Sequence, residues 1–407
     1  MTGRTVVIGG GAAGIAAART LYDAGREVLL IEAADRLGGR ARSVRLPTGH
    51  VVDHGCGWLH SAKRNPWTAI AERSGFTVDR HSPNWQVQWN DLGFPRDEKR
   101  ASGEAYAQFE AAAMAALDGP DRPLSDFVDA HDLWRPMIDA ISGYANGASL
   151  AEVSLHDWAA YENAAADDNW AVVEGYGTVV AHHAAGLPVR TGVTATRIDH
   201  CGKTIRIDTT AGTIEADQVI VAIPTAVLAE GWLSFDPPLP AKRDAAAALP
   251  LGIADKVFLS VEGPLPWPAH AHLTGNPHER CTASHRLSPF GWPIVESFFG
   301  GPCAEALEED GAAAAFAIDE LVALLGSDWR RRFTPLDATR WRHVPLIGGS
   351  YSHARVGHAS ARQTLAEPVE NRILFAGEAC SRKDFSTAHG AYATGVAAAN
   401  LIVRSAL

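Results

Sequence analysis

Residues 5–40, TVVIGGGAAGIAAARTLYDAGREVLLIEAADRLGGR, limit what this chain can fold into more than any other stretch. Thr5–Ile8 is a run of β-branched residues ending in glycines, the pattern of a strand buried on both faces of a parallel sheet. Gly9, Gly11 and Gly14 follow in the order G-x-G-x-x-G, and residues 12–21 carry small and apolar side chains at helical spacing. A second apolar run, Val28–Ile31, ends in Glu32. Gly9 permits the tight turn from strand to helix. Gly11, with the small Ala13 beyond it, lets a pyrophosphate approach the backbone, and Gly14 lets the helix lie close on the strand. The free N–H groups at the helix start carry roughly +0.5 charge, which favours a phosphate. Glu32 stands at the carboxyl end of the second strand, where a carboxylate can accept hydrogen bonds from both hydroxyls of an adenosine ribose. Glycine-rich turns are common, but this triplet between a strand and a helix, with an acid at the next strand end, predicts a dinucleotide site.

Arg36-Leu37-Gly38-Gly39-Arg40 follows Glu32 directly. With this second motif the chain resembles the flavin-containing amine oxidase family, which includes monoamine and polyamine oxidases. The resemblance implies an α/β protein with a Rossmann-type, glutathione-reductase-like FAD-binding domain and a second, α+β substrate domain. Residues 1–75, 175–230 and 365–407 are assigned to the first, and 76–174 and 231–364 to the second. It further implies that Arg40 lies on a phosphate of FAD, that Val193 contacts the adenine through its backbone, and that Glu378 bonds the ribityl–phosphate region. The loop Gly55-Cys56-Gly57-Trp58-Leu59-His60 would pass beside the isoalloxazine ring, with Gly57 and Trp58 against the cofactor. Its W-L-H end matches the polyamine oxidase branch. The last helix would begin near Thr387 and Ala388, its N–H groups facing the flavin, whose reduced form is anionic.

Along the chain, 65–74 predicts a helix with Pro66 in its first turn. Segment 85–90 alternates and predicts a strand; 103–117 and 133–141 predict helices. Residues 189–199, 203–209 and 213–215 predict short strands with glycine turns, and 218–223 a buried strand stopped by Pro224. Segment 235–240 reads as a stiff linker before an alanine-rich helix. Strands are expected at 252–261, 270–274, 293–299 and 373–376, and a helix at 312–325.

Lys256 begins a mostly apolar strand, where burying a charge is costly without a purpose. It matches the family lysine that holds a water against flavin N5; the plainer reading is a salt-bridge partner, for instance of Asp255. His60 matches a histidine that faces the substrate amine, or is a packed histidine. Tyr351 matches one wall of the monoamine oxidase aromatic cage, while Thr387 occupies the other, so the full cage is absent. Ser386 and Thr387 resemble the spermine and acetylpolyamine oxidase pattern, in which hydroxyls contact substrate. Ser350 stands where monoamine oxidases carry the cysteine bonded to FAD, and serine cannot form that thioether, so noncovalent FAD is expected. Trp58, Trp170 and Trp341 line a tunnel or fill a core, and Asp167-Asp168 attracts a distal ammonium or is a solvated loop.

The totals set limits. With 36 basic and 47 acidic residues the formal charge is −11, against a nucleic-acid footprint. The five cysteines are odd in number, widely spaced and without C-x-x-C, which argues against a disulfide scaffold or a zinc site. His182-His183 and His270-x-His272 have no acid or cysteine cluster beside them and read as surface or packing residues, so no metal is expected. Met1-Thr2-Gly3-Arg4 runs straight into the first strand, and 403–407 lack the hydrophobic tail that anchors monoamine oxidases. A cytoplasmic monomer or homodimer without membrane contact is the expectation. The expected reaction is hydride transfer from the carbon beside an amine to flavin N5, imine hydrolysis, and reoxidation by O₂ to give H₂O₂. The rival readings are a superfamily member oxidising carbon, an amine dehydrogenase with another acceptor, and a flavin-binding protein without turnover.

Overall fold

The computed structural model describes residues 3–81 and 83–404. Met1, Thr2 and residues 405–407, on which part of the expectation about the chain ends rests, lie outside them. The β-branched runs assemble one parallel five-stranded sheet in the order Ile373–Phe375, Gln218–Val221, Thr5–Ile8, Val28–Ile31, Val189–Arg190. Sequence neighbours 5–8 and 28–31 pair in register, Thr5 with Val28 and Ile8 with Ile31. Strand 218–221 crosses in from far along the chain to the other side of Thr5–Ile8. Helices Ala12–Asp23 and Ala388–Arg404 pack together on one face of this sheet. They meet backbone to backbone, since a Cβ on Gly395 would lie 2.1 Å from the carbonyl oxygen of Ala13.

A second five-stranded sheet is antiparallel, in the order Ala271–Thr274, Ser284–Leu287, Ile294–Gly300, Ala254–Val261, Phe333–Ala338. Its outer face packs against helices Gly301–Asp310 and Ala313–Leu325. Its other face lines a cavity shared with the first sheet. Helices Arg96–Ala115, Arg135–Asn146 and Leu155–Glu162 surround that cavity, with a core of their own around Phe109, Leu124 and Trp158. The molecule is thus α/β around the parallel sheet and α+β around the antiparallel one. Among the described residues no helix is long and apolar enough to cross a membrane.

Three expectations need correction. Segment 85–90 is not a strand: it forms turns leading into a 3₁₀ turn at Trp89–Asp91. Its alternation does not match burial, since Trp85 and Val87 are exposed while Gln88 is buried, its amide donating to Thr274 O at 3.0 Å and accepting from Thr274 N at 2.8 Å at the end of the antiparallel sheet. Residues 235–240 are not only a linker, because Ser234–Asp236 pairs in parallel with Arg197, Ile198 and Asp199. The cysteine reading missed one bond. Cys281 and Cys303, 22 residues apart, are joined in a disulfide, because the fold brings the segment before strand Ser284–Leu287 to helix Gly301–Asp310 with the two Cα atoms 4.8 Å apart. Cys56, Cys201 and Cys380 are free. His182 and His183 pack edge-on against Phe76 and Trp67, at 5.4 Å in each case.

Candidate active site

One cavity of about 1500 Å³ runs from the glycine turn, past the 55–60 loop, to the face of the antiparallel sheet. Pockets for a drug-sized ligand span roughly 300–1000 Å³, so this one has room for a dinucleotide and a substrate together. Of the residues expected to touch the cofactor or to carry the chemistry, Gly9, Gly11, Ala13, Glu32, Arg40, Gly57, Trp58, His60, Val193, Lys256, Tyr351, Glu378, Ser386, Thr387 and Ala388 line it, and Gly14 does not. Gly14 acts from behind, since a Cβ there would lie 1.8 Å from Gly9 O. Gly9 has φ +103°, which favours glycine, and a Cβ on Gly11 would meet nothing within 4 Å, leaving the turn open toward the cavity.

The nucleotide end fits its expected guest. Glu32 Oε2 accepts from Gly10 N at 2.6 Å and Oε1 from Ala34 N at 2.8 Å, so the carboxylate is held at the cavity wall with lone pairs to spare. Val193 N donates to Glu32 O at 2.9 Å and ties the expected adenine side to the ribose side. Arg40 donates to Ser350 O at 2.5 Å and to Glu378 Oε1 at 3.0 Å. Burial alone would raise the Glu378 carboxyl, but Arg40 and Arg362 outweigh it and hold the group below its ordinary range. Glu378 also accepts from Ser352 Oγ at 2.7 Å and Ser386 N at 2.9 Å. It is therefore a fixed anchor among protein donors. Ser350 Oγ accepts from Ala254 N at 2.8 Å and donates to Ala254 O at 2.9 Å.

At the other end, Lys256 is buried. Its Nζ lies 2.8 Å from Glu296 Oε1 and donates to Asp53 O at 2.9 Å. Asp255 faces elsewhere, accepting from Thr339 Oγ1 at 2.6 Å and Trp341 N at 3.2 Å. Gly57 brings the 55–60 loop onto this lysine, because a Cβ there would lie 3.1 Å from Nζ. His60 Nδ1 lies 2.6 Å from Asn169 Oδ1. Asn169 spends its amide N–H on Asp167 O at 3.0 Å, so Oδ1 is the acceptor and His60 carries its proton on Nδ1, leaving Nε2 with a free lone pair. Burial pushes the His60 pKa down to about 4, against the bond to Asn169, so the ring is neutral near pH 7.

The hydroxyls are more committed than the sequence suggests. Tyr351 OH donates to Tyr144 O. Ser386 Oγ donates to Ser352 O at 2.8 Å. Thr387 Oγ1 donates to Asp384 O at 2.6 Å and accepts from Gly390 N at 3.0 Å, which makes it the N-cap of the last helix. Trp58 and Trp341 line the cavity whereas Trp170 does not, and Asp168 is spent on Lys63 N at 2.5 Å. Sequence reasoning missed Glu296, Asn169 and Arg286. Glu296 carried a readable signal, a lone charge inside the mostly apolar strand Ile294–Gly300.

A glycine turn between strand and helix, continuous through one cavity with an aromatic and titratable wall, is the arrangement of an oxidoreductase fold. The chain belongs to the flavin containing amine oxidoreductase family, whose model matches residues 12–403. It is 30% identical to polyamine oxidase 2 of Arabidopsis thaliana, over 97% of this chain and 86% of that protein. It is 29% identical to polyamine oxidase 4 of Oryza sativa subsp. japonica, over 97% and 87%. Lysine-specific histone demethylase 2 of Homo sapiens is 26% identical, over 98% of this chain and 53% of that protein. A solved structure of a putrescine oxidase double mutant shares the fold, with TM-score 0.79, 18% identity and 99% coverage of both chains.

Proposed function

We propose that this chain binds FAD noncovalently, with residues 1–75, 175–230 and 365–407 as its cradle, and oxidises small amines in the chamber roofed by 76–174 and 231–364. The observation that carries the reading is a single cavity joining the Gly9–Gly14 turn to Trp58, His60 and Lys256. The relatives named polyamine oxidase favour an amine with a secondary nitrogen or more than one nitrogen. A flavin held by Glu32, Arg40 and the Gly9–Gly14 turn would supply the redox chemistry, a two-electron oxidation of the carbon beside the amine nitrogen with O₂ as acceptor and H₂O₂ as the product.

The chain's own residues prepare that step. Glu32, Arg40 and the Gly9–Gly14 turn hold the nucleotide. Trp58 forms an apolar wall, edge-on to Trp85 at 5.5 Å. His60, neutral and with Nε2 free, accepts a hydrogen bond from the amine and orients it so that the nitrogen lone pair is left free. Lys256 holds a proton and a water at the inner wall, where the imine product is hydrolysed. Ser350, closed onto the Ala254 backbone, has no sulfur to bond the cofactor. Two measurements test the reading. Under anaerobic conditions an amine from a panel of polyamines, arylalkyl amines and amino acids should bleach the flavin band near 450 nm, and air should restore it. Acid precipitation should leave the yellow colour in the supernatant. Flavin that no amine reduces would remove the enzyme, and reduced flavin that air does not reoxidise would replace the oxidase with a dehydrogenase.

A further inference from the structure

The antiparallel sheet turns a ladder of polar residues toward the cavity. His272 pairs with Arg286, and Arg286 with Glu296, directly across neighbouring strands. Lys256 pairs with Phe298, so Glu296, two residues earlier on the same face, lies on its diagonal. Diagonal neighbours stand about 7–8 Å apart, within reach of a lysine and a glutamate. The register alone therefore brings Lys256 Nζ to Glu296 Oε1 at 2.8 Å and Arg286 Nη1 to Glu296 Oε2 at 3.8 Å. All four residues line the cavity.

We infer that Glu296 is the positioning residue of Lys256, and that Arg286 fixes Glu296 in turn; this rests on the reading of Lys256 above. A buried ammonium without a partner loses its proton or moves to water. Lysine has three N–H donors. Here Glu296 takes one and Asp53 O another, so the third is directed by the two that are spent. Burial would raise the Glu296 carboxyl, but Lys256 and Arg286 outweigh it, and it stays ionised. The Arg286 guanidinium is itself braced: its carbon lies 4.4 Å from the centre of the Trp58 ring, and Nη2 lies 3.0 Å from His270 Nδ1. His270 Nε2 meets Asp79 Oδ2 at 3.0 Å, and Asp79 Oδ1 meets His81 Nδ1 at 2.5 Å at the surface. Arginine does not give up its proton, so this series is an electrostatic brace running inward from His81, and not a proton path.

The test is a double-mutant cycle of Glu296→Gln and Lys256→Met, read in two ways. In the holoenzyme, Glu296→Gln should slow flavin reoxidation on the order of tenfold when Lys256 is present, and by less than about twofold in the Lys256→Met background. In the apoprotein, urea unfolding should give a coupling between the two positions on the order of tenfold in the unfolding constant. Glu296→Asp, which keeps the charge on a shorter stem, should recover part of both effects, and it serves alone if the Gln variant does not fold. Equal slowing by Glu296→Gln in both backgrounds, or no slowing with no coupling in urea, overturns the inference. If Lys256→Met itself leaves reoxidation unchanged, the catalytic reading of that lysine falls, while the unfolding cycle still judges the pair.

Discussion

At position 256 a charge is buried because three other positions accept the cost. Glu296 and the Asp53 carbonyl each accept a hydrogen bond from it, and Gly57 leaves room for the ammonium. Replacing Lys256 by Met keeps the volume and removes the charge. Reoxidation of reduced flavin in stopped flow should slow by about 10² or more, the usual range for a lost acid–base group, and unchanged reoxidation would remove Lys256 from that step. The lysine was legible in the sequence as a charge heading an apolar strand. Its partner was misjudged: neighbouring Asp255 points from the other face of the strand, because successive side chains alternate. The hydroxyls of Tyr351, Ser386 and Thr387 were legible as positions but not as states. Backbone carbonyls that each hydroxyl meets only in the fold have taken up their donor capacity.

At the scale of elements, helix Ala12–Asp23 can deliver its N-terminus to a phosphate only while it lies against the strand before it. Gly14→Ala would place a methyl 1.8 Å from Gly9 O, a backbone atom with no freedom to yield, so the helix must shift. The expected result is a folded protein that purifies with little or no flavin and regains less on titration with FAD; full retention would mean that the close approach is not needed. Elements built on local signals were read correctly. Helix Pro66–Arg73 has its proline in the first turn, and Asn65 Oδ1 accepts from Trp67 N at 3.0 Å. Segment 85–90 departs from the strand expected of it because its apolar alternation is not its buried side: Trp85 and Val87 are exposed, and the Gln88 side chain makes the pairing to Thr274 that a strand's backbone would have made.

Across the whole molecule, the segments are pinned by Arg362 and Asp157. Both are buried and doubly bonded, Nε to Oδ1 at 2.6 Å and Nη2 to Oδ2 at 2.8 Å. Asp157 also accepts from Ala354 N at 2.9 Å, and Arg362 donates to Ser352 Oγ at 2.9 Å beside Glu378. Arg362→Ala leaves a buried carboxylate unpaired and should cost about 3–5 kcal/mol of stability in urea unfolding. Acid should weaken the fold as well. Burial lowers His60, His270 and His353 to about 4 and His272 to about 3, so between pH 6.5 and 4.5 the unfolded chain binds these protons and the folded one does not. Burial raises Glu162 and Asp255 to about 7, which acts in the opposite sense over the same window. Four histidines against two carboxyls leave at most about two protons in excess on the unfolded side, so stability should fall on acidification, by up to about 2.7 kcal/mol per pH unit. Apoprotein urea melts at pH 6.5, 5.5 and 4.5 measure this, and His353→Gln should flatten the slope.

The parallel sheet and the glycine turn with Glu32 at the next strand end were legible in the residues alone. Each of these is written in a contiguous run, where β-branched strands, glycine spacing and helix starts act on near neighbours. The charge pattern of the chamber came from the folded arrangement instead. Glu296 meets Lys256 through strand register, Asn169 meets His60 across 109 positions, and Cys281 meets Cys303 where two elements pack. Register and packing are settled by how buried faces fit one another over long separations, and no local spacing carries that information.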